Sequence, residues 1–290
     1  MKDIICWWSG GITSAVACKK AIEIYGLDRC RVIMMDTKNE DEDTYRFKTD
    51  CSFWYGIDIE TITALGEDRK YQSIQDIWYD YESLNVATGA ICSSVLKRDL
   101  RKEWQKYNTY TYQIFGFEFD KKEFNRALSL KKNYNVSNPI FPLLMFGLDK
   151  EDCIRIVQES GIKIPNSYLL GFKNNNCLKT GCVQGGIGYW QKMKRDFPDK
   201  FEAMAKIEHD LTDLKGSPTT MLKDQSKAAI ESGIKLVFLK KHSEYPEYKC
   251  IDEMPQMEVK PLQECNGFCN TNMYDVKNPT MMEINFEQNY

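Results

Sequence analysis

The stretch that decides the fold is IICWWSGGITSAVACKK, residues 4–20. An apolar run from Ile4 to Trp8 climbs into Ser9-Gly10-Gly11 and passes without a break into TSAVACKKAIEIYG, whose apolar spacing is helical. Gly26 suits the cap after the last turn of that helix. A second apolar run, CRVIMMDT (residues 30–37), follows, so the opening reads as strand, helix, strand. In an α/β sheet the first strand-to-helix turn is the usual phosphate site, because ligands sit at the carboxyl ends of the strands. Gly10 and Gly11 let the backbone approach closely, and the N–H groups and positive dipole end of the next helix favour an anion. Ser9, Thr13 and Ser14 add hydroxyl donors. The lysine that a Walker-type loop places before its Ser/Thr is missing, and spacing alone fits a plain Gly-Gly turn equally well.

The alternation continues outward from this unit. Helices are predicted over residues 40–56, 73–84, 94–107, 121–132 and 149–161, with strands over 58–65 and 109–117. Strands separated by helices of this length imply a parallel sheet covered on both faces, since each crossover lays a helix over the sheet. From about Pro165 the texture changes to NSYLLGFKNNNCLKTGCVQGGIGYW, rich in Asn and Gly, and then to a helical pair punctuated by Pro198. Past Pro246 the chain is acidic, rich in Pro, Met and Asn, and weakly periodic, which suggests a segment wrapping over the body. The expected division is an α/β domain over 1–165, a Cys-, Gly- and Asn-rich loop and helical region over 166–250, and an acidic extension over 251–290.

A chain of 290 residues fits one large core with an appendage, and 42% hydrophobic with 12% aromatic residues argues against disorder. The net charge of −3 is uneven: residues 251–290 carry seven acids against Lys260 and Lys277, leaving that segment at −5 and the remainder at +2. That balance excludes a general nucleic-acid binder, though not a local basic patch. There are 11 cysteines, the opening MKDIICWW has no basic-then-apolar leader, and no apolar run approaches membrane-spanning length. The expectation is a cytoplasmic, reduced protein with no membrane contact, in which clustered cysteines bind metal or act in chemistry. Cys6, Cys18, Cys30 and Cys153 fall inside periodic segments and read as core. His209 and His242, the only histidines, read as packing or surface residues.

Ser9-Gly10-Gly11-Ile12-Thr13-Ser14 matches S-G-G-x-x-S, the signature of the PP-loop ATP pyrophosphatase superfamily, whose loop cradles a pyrophosphate without a Walker lysine. Further segments resemble the phosphoadenosine phosphosulfate (PAPS) reductase-like family in the same order. MMDTKNEDEDTYRF resembles the segment after the second strand, and ICSSVLKRDL resembles its C-x-x-x-L-K element with Cys92, Leu96 and Lys97. GFEFDKKEFNRALSL resembles its Gly-then-Glu-x-x-Arg element with Gly116, Glu123 and Arg126, and NPIFPLL its proline-flanked approach to the cysteines. The resemblance covers roughly residues 4–190. It implies an α/β fold, a parallel sheet sandwiched by helices of the adenine nucleotide alpha hydrolase-like, HUP type. It implies ATP or a PAPS-type nucleotide with magnesium, held by Ser9, Gly10, Gly11, Thr13 and Ser14, with Asp36, Thr37, Arg98 and Gly116 nearby and Tyr45 and Phe47 packing. Lys97 and Arg126 would act on the phosphates, Glu123 orienting Arg126. Read as residues alone, Lys97, Arg98, Arg101 and Lys102 also fit a solvated helix face.

Cys177 and Cys182 lie in the Asn- and Gly-rich loop, and Cys265 and Cys269 flank an Asn-Gly turn. Two such turns can make one tetrahedral thiolate site for zinc or an iron-sulfur cluster. Cys92 with Cys177 and Cys182 is a second combination, similar to some PP-loop thiolation enzymes and adenylylsulfate reductases in placing cluster cysteines near the nucleotide loop; ordinary unligated thiols are a third. Glu264-Cys265-Asn266-Gly267 is an inexact echo of the E-C-G-x-H element of thioredoxin-dependent PAPS reductases. The function this implies is adenylation of an acceptor (tRNA, DNA or a small molecule) by ATP for sulfur or nitrogen transfer, with a thiol or sulfur donor protein as partner. The alternatives are a PAPS or adenylylsulfate reductase making sulfite, and a non-catalytic nucleotide-binding regulatory module with a Cys-rich docking region.

Overall fold

Every side chain of the first strand, β1 (Ile4–Trp8), is buried, which requires cover on both faces of its sheet. The protein is described by a computed structural model over residues 2–86 and 89–262. Along the chain, β1 leads to α1 (Ile12–Tyr25), β2 (Cys30–Met35), α2 (Glu42–Tyr55), β3 (Ile59–Ile62) and α3 (Ile74–Asp80). A short antiparallel pair, β4 (Asn85–Val86) and β5 (Gly89–Ala90), precedes α4 (Ile91–Ser93), which continues through a π-helical segment, Ser94–Asp99, into α5 (Leu100–Tyr107). Then come β6 (Tyr112–Ile114), α6 (Lys121–Asn133), β7 (Pro139–Ile140), α7 (Pro142–Phe146), α8 (Lys150–Glu159) and α9 (Asn166–Leu169).

The main sheet has the order β3-β2-β1-β6-β7, all parallel, with Ile4 opposite both Cys30 and Tyr112. Side chains alternate across it with the period of two that a strand imposes. Ile4, Cys6, Trp8, Val32 and Met34 pack with Val16, Phe47, Cys51, Cys153 and Val157 from α1, α2 and α8. Ile5, Trp7, Ile33 and Met35 pack on the opposite face with Leu100, Phe124, Ala127 and Leu144 from α5, α6 and α7. This is the expected α/β layering, a parallel sheet sandwiched by helices. Cys6, Cys18, Cys30 and Cys153 are buried in it, as predicted.

Several elements depart from the sequence reading. β7 is an edge strand of two residues beginning at Pro139, a position that an edge tolerates because no ladder hydrogen bond is lost there. β3 and β6 are shorter than the predicted runs, and the helix expected from residue 94 starts at Ile91. A second sheet, β8 (Leu222–Lys223), β9 (Leu236–Phe238) and β10 (Lys249–Cys250), was not predicted at all, since strands of two or three residues carry no measurable periodicity.

That small sheet belongs to a second apolar core, which joins α3 and α4 to α10 (Ile187–Asp196) and α11 (Pro198–Lys215), with α12 (Lys227–Ser232) beyond. Trp78, Cys92, Cys182, Trp190, Phe201 and Val237 meet there. Pro198 starts α11, as expected of a residue that fits a helix's first turn but not its interior. His209 and His242 meet edge to face at 4.5 Å between ring centroids, beside Phe238, so both serve packing.

Glu208 on α11 is fully buried and accepts the backbone N–H groups of Met221 (3.1 Å) and Leu239 (2.6 Å), tying the small sheet to the helix. Burial pushes its carboxyl up to about 8, against the pull of those two donors. A carboxyl that binds its proton more tightly folded than unfolded contributes stability at acid pH and loses it as pH rises through the folded value. The expected result is a decline in Glu208's contribution between about pH 4.5 and pH 8, each tenfold change in proton affinity being worth about 1.4 kcal/mol. Denaturant titrations from pH 4 to 9 should show a steeper alkaline loss in the wild type than in Glu208→Gln; parallel curves would refute this.

Candidate functional site

The turn after β1 is built for close approach. Gly10 sits at φ +88°, and a Cβ there would lie 2.9 Å from Thr44 Cγ2. Gly116, just past the end of β6, comes still nearer: a Cβ would lie 2.6 Å from Ser14 Cα and 2.7 Å from Ser14 N. The first turn of α1 therefore rests directly on the chain after β6, and only glycine fits between them. Ser14 Oγ donates to Gly11 O (2.8 Å) and accepts from both the N–H and the hydroxyl of Ser9 (3.0 Å each), closing the loop on itself. Gly11 caps α1 in an extended conformation without a side-chain cap, and no acid stands in the first turn, so no carboxylate there offsets the dipole's positive end.

Asn175 holds the loop from the far side. Its amide donates to Gly10 O (2.8 Å) and Thr44 Oγ1 (3.0 Å), while its oxygen accepts from Ser167 Oγ (2.8 Å). Ile12 N donates to Tyr168 OH at 3.3 Å. The Asn-rich segment is thus a brace for the glycine turn, a role that its polar, aperiodic sequence does not reveal.

Beyond β2 the chain makes a second tight turn. Asp36 Oδ1 accepts from Lys38 N (2.8 Å) and Tyr45 OH (3.0 Å), holding Lys38 at φ 54°. Phe47, by contrast, is wholly in the core. Thr37 Oγ1 donates to Glu40 Oε1 (3.0 Å) and lies 3.8 Å from Cys177 Sγ. Glu40 is 2% exposed, and its Oε1 stands 3.8 Å from Lys97 Nζ, itself 4% exposed. Burial raises the Glu40 carboxyl above the usual range; Lys97 and the Thr37 hydroxyl pull it down, and Asp36 pushes it up.

One cleft gathers these groups. Its lining includes Ser9 and Gly11, the polar Asn39, Glu40 and Lys97, the apolar Ile74, Trp78, Ala90 and Val183, and the thiols of Cys92, Cys177 and Cys182, with Asn175, Asn176, Gly181 and Gln184 completing it. It encloses about 530 Å³ of space between atoms, part of it open to solvent.

The other predicted residues are placed elsewhere. Thr13 and Ser14 are buried in the first turn of α1. Arg126 is 1% exposed; its guanidinium donates to both oxygens of Glu123 (2.5 and 2.6 Å) and lies 4.7 Å from the Phe117 ring centroid. Glu123 and Gly116 line a separate cavity with Glu118, Asp120, Lys150 and Lys260, and neither lines the cleft. Arg98 turns outward and pairs with Asp99 at 3.0 Å. Arg101 is 2% exposed, and burial brings its guanidinium down to about 9, while Lys102 is exposed. The charge run is therefore split: Lys97 and Arg101 point inward, Arg98 and Lys102 outward. The π-helical turn from Ser94 to Asp99 carries Lys97, and such turns recur at functional sites.

The nine described cysteines form no disulfide, and Cys177 alone among them is half-buried rather than buried. Among the described residues no three His, Cys, Asp or Glu side chains are placed to hold one metal ion. Cys265 and Cys269, the other predicted ligand pair, lie outside the described residues. Sequence reading missed Glu40, Asn39 and Asn175. Glu40 stands just before α2, whose cap is Asp41, and in an acidic run one carboxylate facing inward looks like its solvated neighbours.

No family model matches this sequence, and no curated protein does. Among solved structures the chain is similar to NMN synthetase from Francisella tularensis, at 15% identity and a TM-score of 0.38, covering 79% of this chain and 81% of that one. It is also similar to the U34-tRNA thiolase NcsA from Methanococcus maripaludis with its [4Fe-4S] cluster, at 13% identity and a TM-score of 0.33, covering 79% and 80%. Among the described residues no helix is long and apolar enough to cross a membrane.

Proposed function

We propose that this chain is a PP-loop, PAPS-reductase-like enzyme that binds ATP and adenylates an acceptor for sulfur or nitrogen transfer. The observation that carries this reading is the cleft in which the Ser9–Gly11 turn and Lys97 share walls with Cys92, Cys177 and Cys182. A glycine turn at a helix start supplies N–H groups to phosphate oxygens, and a lysine held in the same cleft supplies charge to them. An acceptor oxygen attacking the α-phosphorus forms a new P–O bond while the bond to the bridging oxygen breaks, releasing pyrophosphate. The loop and Lys97 stabilise the charge that develops on that leaving group, and magnesium carried by the phosphates shares it. Asp36 and Thr37, at the end of β2, stand where a nucleotide's sugar and base would leave the loop.

The three cleft thiols are the described donors suited to a soft metal or cluster. They do not make a ligand set among the described residues, so no step here passes through a metal centre. Arg126, locked to Glu123 and set over the Phe117 ring, is assigned to holding the chain after β6 rather than to the phosphates. The test is product analysis after ATP is incubated with the enzyme and tRNA, DNA or small-molecule acceptors. AMP and pyrophosphate should appear together and depend on one of the acceptors. Sulfite released from PAPS with a thiol donor, without ATP turnover, would favour the reductase instead.

A further inference from the structure

The cation that the cleft offers to a phosphate is already engaged. Lys97 Nζ stands 3.8 Å from Glu40 Oε1, a long contact for an ion pair, and the two side chains are 5% and 2% exposed. Both line the cleft with Ser9 and Gly11. A buried lysine that leaves its carboxylate for a phosphate strands a charge in a low-dielectric site, and the least costly remedy for a stranded carboxylate is a proton.

We propose that Glu40 is a positioning residue that holds Lys97 in the cleft until an anion arrives, and that phosphate binding moves Lys97 off Glu40 and adds a solvent proton to the Glu40 carboxylate. This rests on the reading of the Ser9–Ser14 turn as a phosphate loop.

The surroundings of Glu40 favour that exchange. From its own segment Asp36 adds negative charge, and the Thr37 hydroxyl donates to the Oε1 that faces Lys97. Tyr45 on α2 is turned to Asp36. From the helix that carries Lys97, Cys92 lines the same cleft; from the Asn-rich loop come Cys177 and Cys182, all three thiols. Lys97 is thus the one ammonium or guanidinium among the described residues that line the cleft, and with it turned to the ligand, Glu40 faces only neutral or anionic groups. Burial already lifts its proton affinity above the ordinary value while Lys97 is still beside it. The reaction balances: one carboxylate, one proton from water, one neutral carboxyl.

The experiment uses magnesium-free pyrophosphate as the probe, titrated into the full chain between pH 5.5 and 8.5. Wild type should bind more tightly as pH falls, because protonated Glu40 no longer competes for Lys97. Glu40→Gln, with no competitor at any pH, should match wild type at the acid end and exceed it by about tenfold at the alkaline end, the size of one unit of linkage. The ligand's own ionisation is common to both proteins and cancels in the ratio. A ratio that does not change with pH, or weaker binding by Glu40→Gln throughout, would overturn the proposal. Should the variant not fold, wild type alone decides with sulfate, an anion that does not titrate in this range: calorimetry in buffers of different ionisation enthalpy must show proton uptake on binding, and sulfate binding without uptake overturns it. No pyrophosphate binding at all would instead remove the phosphate-loop reading, and this inference with it.

Discussion

Gly116→Ala is expected to abolish pyrophosphate binding, although residue 116 would touch no phosphate. The added methyl would stand 2.6 Å from Ser14 Cα, 2.7 Å from Ser14 N and 2.9 Å from Thr13 C, all of them backbone atoms with no rotamer to yield. Relief requires the first turn of α1 to move away from the end of β6, and that turn is the proposed anion site. Overpacking of this kind costs about 1–3 kcal/mol in stability. The loss of binding should exceed the loss of stability, since an anion site depends on several N–H groups pointing at one place and a shift of about 1 Å spoils all of them together. Calorimetric titration with pyrophosphate, paired with denaturant unfolding, separates the two effects. Wild-type affinity in a folded Gly116→Ala protein would show that this contact does not set the loop.

The second large effect is expected from Lys97→Met, which keeps the length of the side chain and removes its charge. A charge-assisted bond to phosphate contributes about 1.5–3 kcal/mol, so affinity for pyrophosphate should fall by about 10- to 100-fold. Removing one partner of a buried pair commonly destabilises strongly because the other is left charged. Here the penalty should be small near neutral pH, because the carboxyl left behind is buried and already shifted toward its neutral form. Affinity equal to wild type would remove Lys97 from the site. A large loss of stability with unchanged affinity would assign the pair to the fold instead.

Much of this molecule is legible in its sequence, for identifiable reasons. β1 and β2 are long unbroken apolar runs because both faces of a parallel sheet are covered, and α1 and α2 are bounded by glycines, Gly26 and Gly56, as their caps require. The glycine turn after β1 is legible because glycine is the residue that permits both the positive φ at position 10 and the close approach at position 116. What remained hidden lies in side chains whose role is set by distant neighbours. Asn175 reaches Gly10 across 165 positions of chain. Glu40 is one acid among several until the fold turns it toward Lys97. Arg126 and Lys97 look alike in the sequence as basic residues on helices, yet one is clamped by Glu123 and the other lines the cleft. The edge strand β7 and the small sheet β8–β10 are too short for any period to register.

The most direct measurement for the account as a whole is the position at which ATP is cut. With ATP labelled separately at the α- and γ-phosphates and the productive acceptor present, the account predicts label in AMP or an adenylated acceptor from the first, and label in pyrophosphate from the second. The appearance of ADP and inorganic phosphate as the primary products would contradict it, because a loop that grips the departing pyrophosphate leaves the bond between the β- and γ-phosphates intact.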